Sequence, residues 1–123
     1  MLTLICGHPR AGKTTYSKRF DNVIHLDEVH STQKVIQKIR TISGDVVVEG
    51  IYYRPTERRE LIKAYKGNRT RCICLNTSKE VREQRYGHRI KHDYPFLLPT
   101  YEEGWDEIII MEDNNDESIS NKG

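Results

Sequence analysis

Leu2-Thr3-Leu4-Ile5-Cys6-Gly7-His8-Pro9-Arg10-Ala11-Gly12-Lys13-Thr14-Thr15 is the stretch on which the reading of the 123-residue chain turns. An apolar run (Leu2, Leu4, Ile5, Cys6) stops at Gly7, and Gly7 to Thr14 then fits G-x-x-x-x-G-K-[ST] at every required position. The spacing has a chemical reason. A strand ending in a glycine-rich loop turns successive N–H groups onto phosphate oxygens, and the helix that follows adds its dipole. Gly7 and Gly12 admit close approaches that a Cβ would obstruct. Lys13 is placed to reach the β- and γ-phosphates, and the Thr14 hydroxyl suits Mg²⁺. Gly7, His8, Pro9, Arg10, Ala11, Gly12, Lys13, Thr14 and Thr15 are therefore the expected cradle for a nucleotide's phosphates.

A chain of this length predicts one domain with a real core. No stretch is apolar for long enough to span a membrane, and the first residues lack the basic-then-apolar layout of a signal peptide. Cys6, Cys72 and Cys74 read as reduced thiols, which points to a cytoplasmic setting. The net charge of +2 conceals a polarity. Residues 54–91 hold twelve Lys/Arg against four Asp/Glu, a net +8, whereas residues 93–117 hold nine Asp/Glu and no Lys/Arg, a net −9. A basic stretch of this kind is either solvated helix surface or a face for phosphates.

Periodicity and punctuation give the other elements. Lys13 to Phe20 reads as the first helix, and Val23-Ile24-His25-Leu26 as a short strand that delivers Asp27 at its carboxyl end. Val29, Val35, Ile36, Ile39 and Ile42 fall near the spacing of one amphipathic helix, with Gly44 as its stop. Asp45 to Gly50 reads as a strand buried on both faces. Pro55 suits the first turn of the next helix, with Leu61, Ile62 and Tyr65 inward and Gly67 as the stop. Arg71 to Leu75 is the fourth strand. Thr77 with Glu80 reads as a capping box that opens a very polar helix over 78–91. Residues 92–104 read as a loop and Glu107 to Met111 as a fifth strand, closing a domain over 1–111. Residues 112–123, rich in Asn, Asp, Glu and Ser, read as an acidic disordered tail. Strands alternating with helices predict an α/β fold of three layers, a parallel sheet of about five strands with helices on both faces. The site then falls at the carboxyl ends of the strands.

Phosphoryl transfer needs a phosphate cradle, a metal, charge stabilisation and a base or positioner for the acceptor. At about 100° per residue, Arg82, Arg85 and Arg89 fall within roughly 60° of one another on a helix, as a solvated face or as a cationic lid. Beside the phosphate loop the lid is the preferred reading. Asp27 is the candidate base or metal orienter; its structural alternative is an N-cap for a helix starting near Glu28. Glu49 either holds the water shell of Mg²⁺ or pairs with an arginine. The five histidines show no ligand spacing, so no zinc site is expected. Tyr52, Tyr53, Tyr94, Tyr101 and Trp105 border the expected site, as stacking surfaces for a base or as packing. Arg54, Arg58, Arg59 and Lys63 cluster where the third strand hands over to its helix, a placement that suits the phosphates of a nucleic acid.

Four segments carry a resemblance. They are Gly7–Thr15, Leu26-Asp27-Glu28, Val46–Gly50 followed by Pro55-Thr56-Glu57-Arg58-Arg59, and Leu75-Asn76-Thr77 leading to Arg85 and Arg89. With the closing Pro99–Ile108, the chain resembles, over about residues 1–110, the small P-loop kinases related to the 5′-kinase domain of bacteriophage polynucleotide kinase. The resemblance implies ATP and Mg²⁺, Lys13 on the phosphates, Asp27 as general base, and Arg85 and Arg89 as lid arginines. It implies a nucleic acid 5′ end as acceptor; the lack of a long apolar stretch separately predicts no membrane partner. Three departures touch the acceptor side. His30 stands where such kinases often have arginine, Glu49 where they commonly have aspartate, and residues 28–44 make a shorter connection. Two other readings stay open: a phosphotransferase for a nucleoside, sugar or drug hydroxyl, and a nucleotide-binding regulatory module with little catalysis. Asp27 and the paired arginines argue against the last.

Overall fold

Residues 1–93 and 95–112 are described by the computed structural model. Strands β1 (Leu2–Gly7), β2 (Val23–His25), β3 (Val46–Gly50), β4 (Thr70–Asn76) and β5 (Glu107–Glu112) form one sheet in the order β2-β3-β1-β4-β5. Every neighbouring pair is parallel. The strand that feeds the glycine-rich loop is therefore central, and β3 and β4 flank it with their carboxyl ends at the same edge. Parallel strands are covered on both faces, which is why β1, β3 and the middle of β4 are near-continuous apolar runs.

Side-chain alternation sorts that sheet into two cores. Leu2, Leu4, Cys6, Val46, Val48, Cys72 and Cys74 pack with Val35, Ile36, Ile39, Leu61 and Ala64 from helices α3 (Thr32–Arg40) and α4 (Pro55–Ala64). Ile5, Val47, Ile73 and Leu75 point the other way, toward Tyr16 in helix α1 (Lys13–Ser17) and Phe20 just beyond it. Each such buried aliphatic side chain contributes about 1.5–3 kcal/mol. The fold is the expected three-layer α/β arrangement, a five-stranded parallel sheet with helices on both faces. The three thiols are buried and unbridged, with Cys6 and Cys72 sulfurs 3.7 Å apart. Contact with Cys72 and burial push the Cys6 thiol well up, and contact with Cys6 and burial do the same for Cys74. They pack as small apolar groups.

Several boundaries differ from the sequence expectation. The first helix ends at Ser17 and not Phe20, Leu26 starts a helix rather than ending β2, and α3 and α4 stop at Arg40 and Ala64, short of Gly44 and Gly67. The helix expected through 29–42 is two, α2 (Leu26–Val29) and α3, because His30 adopts a left-handed φ of 63° and Ser31 then caps α3 by accepting from the Lys34 N–H at 3.3 Å. The helix expected over 78–91 is α5 (Lys79–Tyr86), stopped by Gly87 at φ 81°. Its cap is Ser78, accepting from the Val81 N–H at 3.3 Å, and not Thr77. Within the expected loop 92–104, Tyr101–Glu103 form a 3₁₀ turn closed by a Thr100/Glu103 capping box. Glu112, expected in the tail, ends β5 and accepts from the Asn76 side-chain amide at 3.1 and 3.0 Å. The expected disorder of 113–123 lies outside the described residues. Among the described residues no helix is long and apolar enough to cross a membrane.

Candidate active site

The glycine-rich loop after β1 needs its glycines for two separate reasons. A Cβ on Gly7 would lie 2.7 Å from the Leu75 carbonyl oxygen, and Gly12 caps α1 at φ 99°. Side chains from the β4 side hold the loop's carbonyls. The Thr77 hydroxyl donates to Ala11 O at 2.9 Å, and Arg85 Nη1 donates to Arg10 O at 2.7 Å. Lys13 is buried, and its ammonium donates to His8 O at 2.7 Å. Burial pushes the Lys13 amine down, opposed by the carboxylates of Glu49 and Asp27. A cation short of solvent, facing two carboxylates, marks a centre built for charge.

That centre opens into a cleft of about 920 Å³. Its walls include Pro9 to Thr15, Asp27, Glu49 and Arg85, from four different segments of the chain. Asp27 sits exposed in the first turn of α2, whose N-cap position is His25, so the N-cap alternative does not hold. Glu49 is 4% exposed, and one of its oxygens is 2.7 Å from His25 Nδ1. Its structural partner is thus a histidine on β2 and no arginine. Thr14 is exposed and lines the cleft.

The three arginines expected as one stripe are separated by the structure. Arg85 lines the cleft. Arg82, 4% exposed, donates from Nε to Thr77 O at 3.1 Å and makes a two-pronged contact with Asp93 at 2.9 and 2.8 Å. Arg89 lies three residues beyond the last residue of α5, is exposed, and is not among the residues lining the cleft. The basic cluster on α4 is likewise divided. Arg58 is 0% exposed, bonded through Nε and Nη2 to Glu103 at 2.7 and 2.9 Å and through Nη1 to Tyr52 O at 2.8 Å. It is a core residue and is not available to phosphates. Arg54, Arg59 and Lys63 remain exposed, with the Arg54 guanidinium over the Tyr53 ring at 5.0 Å.

Of the aromatic residues, Tyr52 and Trp105 are core, and the Trp105 indole donates to Glu103 at 3.0 Å. Tyr101 is exposed, and Tyr94 lies outside the described residues. The sequence reading missed three groups that shape the site: Thr77 as an anchor of the loop, His25 beside Glu49, and Tyr86, which lines the cleft under the Arg10 guanidinium at 5.1 Å. Thr77 directly follows β4 at the switch point, which was a usable signal. The other two depend on contacts between distant segments.

No protein-family model and no curated protein matches the chain. Solved structures do. One is the unliganded crystal structure of a sugar kinase from Janibacter sp. HTCC2649, with a TM-score of 0.65 at 13% sequence identity, over 98% of this chain and 90% of that one. The likeness is one of fold, to a kinase-type architecture, and does not single out the phage polynucleotide kinase domain.

Proposed function

We propose that the chain is an ATP-dependent kinase, working with Mg²⁺, that transfers the γ-phosphoryl group to a hydroxyl. The observation that carries this reading is a single cleft lined by Lys13 and Thr14 of the loop, the carboxylates Asp27 and Glu49, and the Arg85 guanidinium. Transfer of this kind asks the protein for position and charge rather than covalent chemistry. The loop and Lys13 hold the β- and γ-phosphates. Arg85 meets charge that develops on the moving group, with Arg89 as the second and weaker guanidinium. Asp27 takes the acceptor hydroxyl's proton. The oxygen donors fit Mg²⁺: the Thr14 hydroxyl would bind it directly and Glu49 through water, and the ion would supply neutralisation of phosphate charge. Among the described residues no group of three or more His, Cys, Asp or Glu forms a metal cluster. That suits an ion whose ligands are mostly water and phosphate. A cytoplasmic setting goes with ATP use.

Two acceptor classes remain, and a specific observation favours each. A shallow, open depression of about 460 Å³ beside Asp27 is lined by Leu26, Asp27, His30, Ser31 and Thr32, a carboxylate, two hydroxyls and an imidazole with no lysine or arginine. That lining supports a small polyhydroxylated acceptor. Exposed Arg54, Arg59 and Lys63 support the alternative, a polynucleotide 5′-hydroxyl, more weakly now that Arg58 is buried. The test is ADP release measured with a panel of sugars, nucleosides and 5′-hydroxyl oligonucleotides. Stimulation by one class is expected, and Lys13→Met should abolish it in a folded protein. ADP release that no acceptor stimulates would leave a nucleotide-binding module.

A further inference from the structure

Asp93 belongs to none of the roles assigned so far, yet it closes a circuit around the phosphate loop. Its two carboxylate oxygens receive Arg82 Nη1 and Nη2 at 2.9 and 2.8 Å, and Oδ1 lies 3.4 Å from His8 Nδ1. Arg82 Nε binds Thr77 O, the Thr77 hydroxyl binds Ala11 O, and the Ala11 N–H returns to His8 O at 3.1 Å. The ring of contacts thus runs Asp93, Arg82, Thr77, Ala11, His8 and back. Arg85 sits one turn beyond Arg82 on α5, with Nη1 on the next loop carbonyl, Arg10 O. The Phe96 ring packs on His8 at 5.3 Å between centroids, backing the same face.

We propose that Asp93 and Arg82 are a positioning pair that locks α5 to the phosphate loop as one body, so that Arg85 is held at the transferring phosphate. Neither side chain lines the cleft. The chemistry is that of a two-pronged guanidinium–carboxylate contact, which fixes geometry as well as adding energy. The Arg82 hydrogen bonds hold the Asp93 carboxyl below the usual carboxylate range, so it stays ionised at neutral pH. Burial, with Arg82 and Lys13 nearby, pushes the His8 imidazole down against the pull of Asp93, so its contact is that of a neutral ring. A cleft arginine standing alone on a short exposed helix would wander. One tied through its own helix to the loop is pre-organised.

The kinetic part of this inference rests on the kinase reading; the mechanical part does not, and the experiment separates them. Asp93→Asn and Arg82→Lys keep volume and remove the paired contact. In each, amide hydrogen exchange should accelerate about tenfold or more at both 8–12 and 79–86, with the strands unchanged. Unchanged exchange in both segments, or acceleration in only one, would overturn the lock. In the active enzyme each variant should lower kcat by about 10- to 10²-fold with little change in the KM for ATP. In an Arg85→Ala background the same changes should cost almost nothing, because the group they aim is gone. Losses that multiply through the Arg85→Ala background would overturn the role assigned to the pair. Should the wild type lack any acceptor-stimulated turnover, the kinase reading fails while exchange still decides the lock.

Discussion

Helices α4 and α5 look alike in sequence, each short, polar and rich in arginine and lysine, yet the fold uses their cations in opposite ways. On α4 the one buried arginine, Arg58, is spent on the core. It ties α4 to the turn at Tyr101–Glu103, far along the chain, through a carboxylate that is itself 1% exposed at the side chain. On α5 the buried arginine, Arg82, works at the edge of the site, and its neighbour one turn on lines the cleft. Both helices follow a strand at its carboxyl end, so the edge does not distinguish them. α5 reaches the carbonyls of the glycine-rich loop through Arg85, whereas α4 packs with α3 on one face of the sheet. A basic run therefore does not define a phosphate-binding face; which groups the fold brings against each guanidinium decides its use.

The sharpest contrast should appear in stability. Arg58→Ala leaves the Glu103 carboxylate buried without its partner, and should cost about 3–5 kcal/mol in urea unfolding. Arg85→Ala should stay within about 0.5 kcal/mol of the wild type, as a surface change does. Equal stability of the two variants would erase the distinction between the helices.

In turnover the order should reverse. Arg85→Ala is expected to lower kcat on the order of 10²-fold, with a smaller change in the KM for ATP. Arg89→Ala should lose less, since that residue lies past the helix and outside the cleft lining. A loss confined to KM at both positions would make them ground-state binders.

Acid titration separates the helices again, by a smaller margin. Burial pushes the Glu103 carboxyl up, but hydrogen bonds from Arg58 and Trp105 prevail and hold it below the ordinary glutamate value. A carboxyl whose folded value is depressed stabilises the protein above its unfolded value and loses that contribution as pH falls through the folded one. The stability gap between wild type and Glu103→Gln should therefore be full at neutral pH and close only below the ordinary glutamate range, about pH 4.3. No such pH-dependent gap is expected for Arg85→Ala. A gap that stays constant into acid would mean the loss at Glu103 is one of shape and not of charge.

The smallest expected effect concerns the exposed cations of α4. If the acceptor is an oligonucleotide, Arg59→Ala with Lys63→Ala should flatten the dependence of its log KM on log salt by about 0.7 for each phosphate contact removed. For a sugar or nucleoside acceptor the slope should be near zero and the double substitution silent.

By itself the sequence determined the sheet, the glycine-rich loop after its first strand and the edge of the sheet at which that loop lies. Those are local: apolar runs set the strands, Gly7 and Gly12 meet torsional and steric demands within a few residues, and strands alternating with helices leave little choice of architecture. Even some missed stops were written locally, as Gly87 and the Thr100/Glu103 box were. Only the tertiary structure decided which arginine meets which carboxylate. Arg58 finds Glu103 across forty-five positions, Arg82 finds Asp93 across a helix end, and His25 finds Glu49 through strand pairing. A guanidinium has the same helical spacing whether it faces water, a phosphate or a buried carboxylate. What distinguishes the three is desolvation, and that is fixed by the packing of segments far apart in the chain.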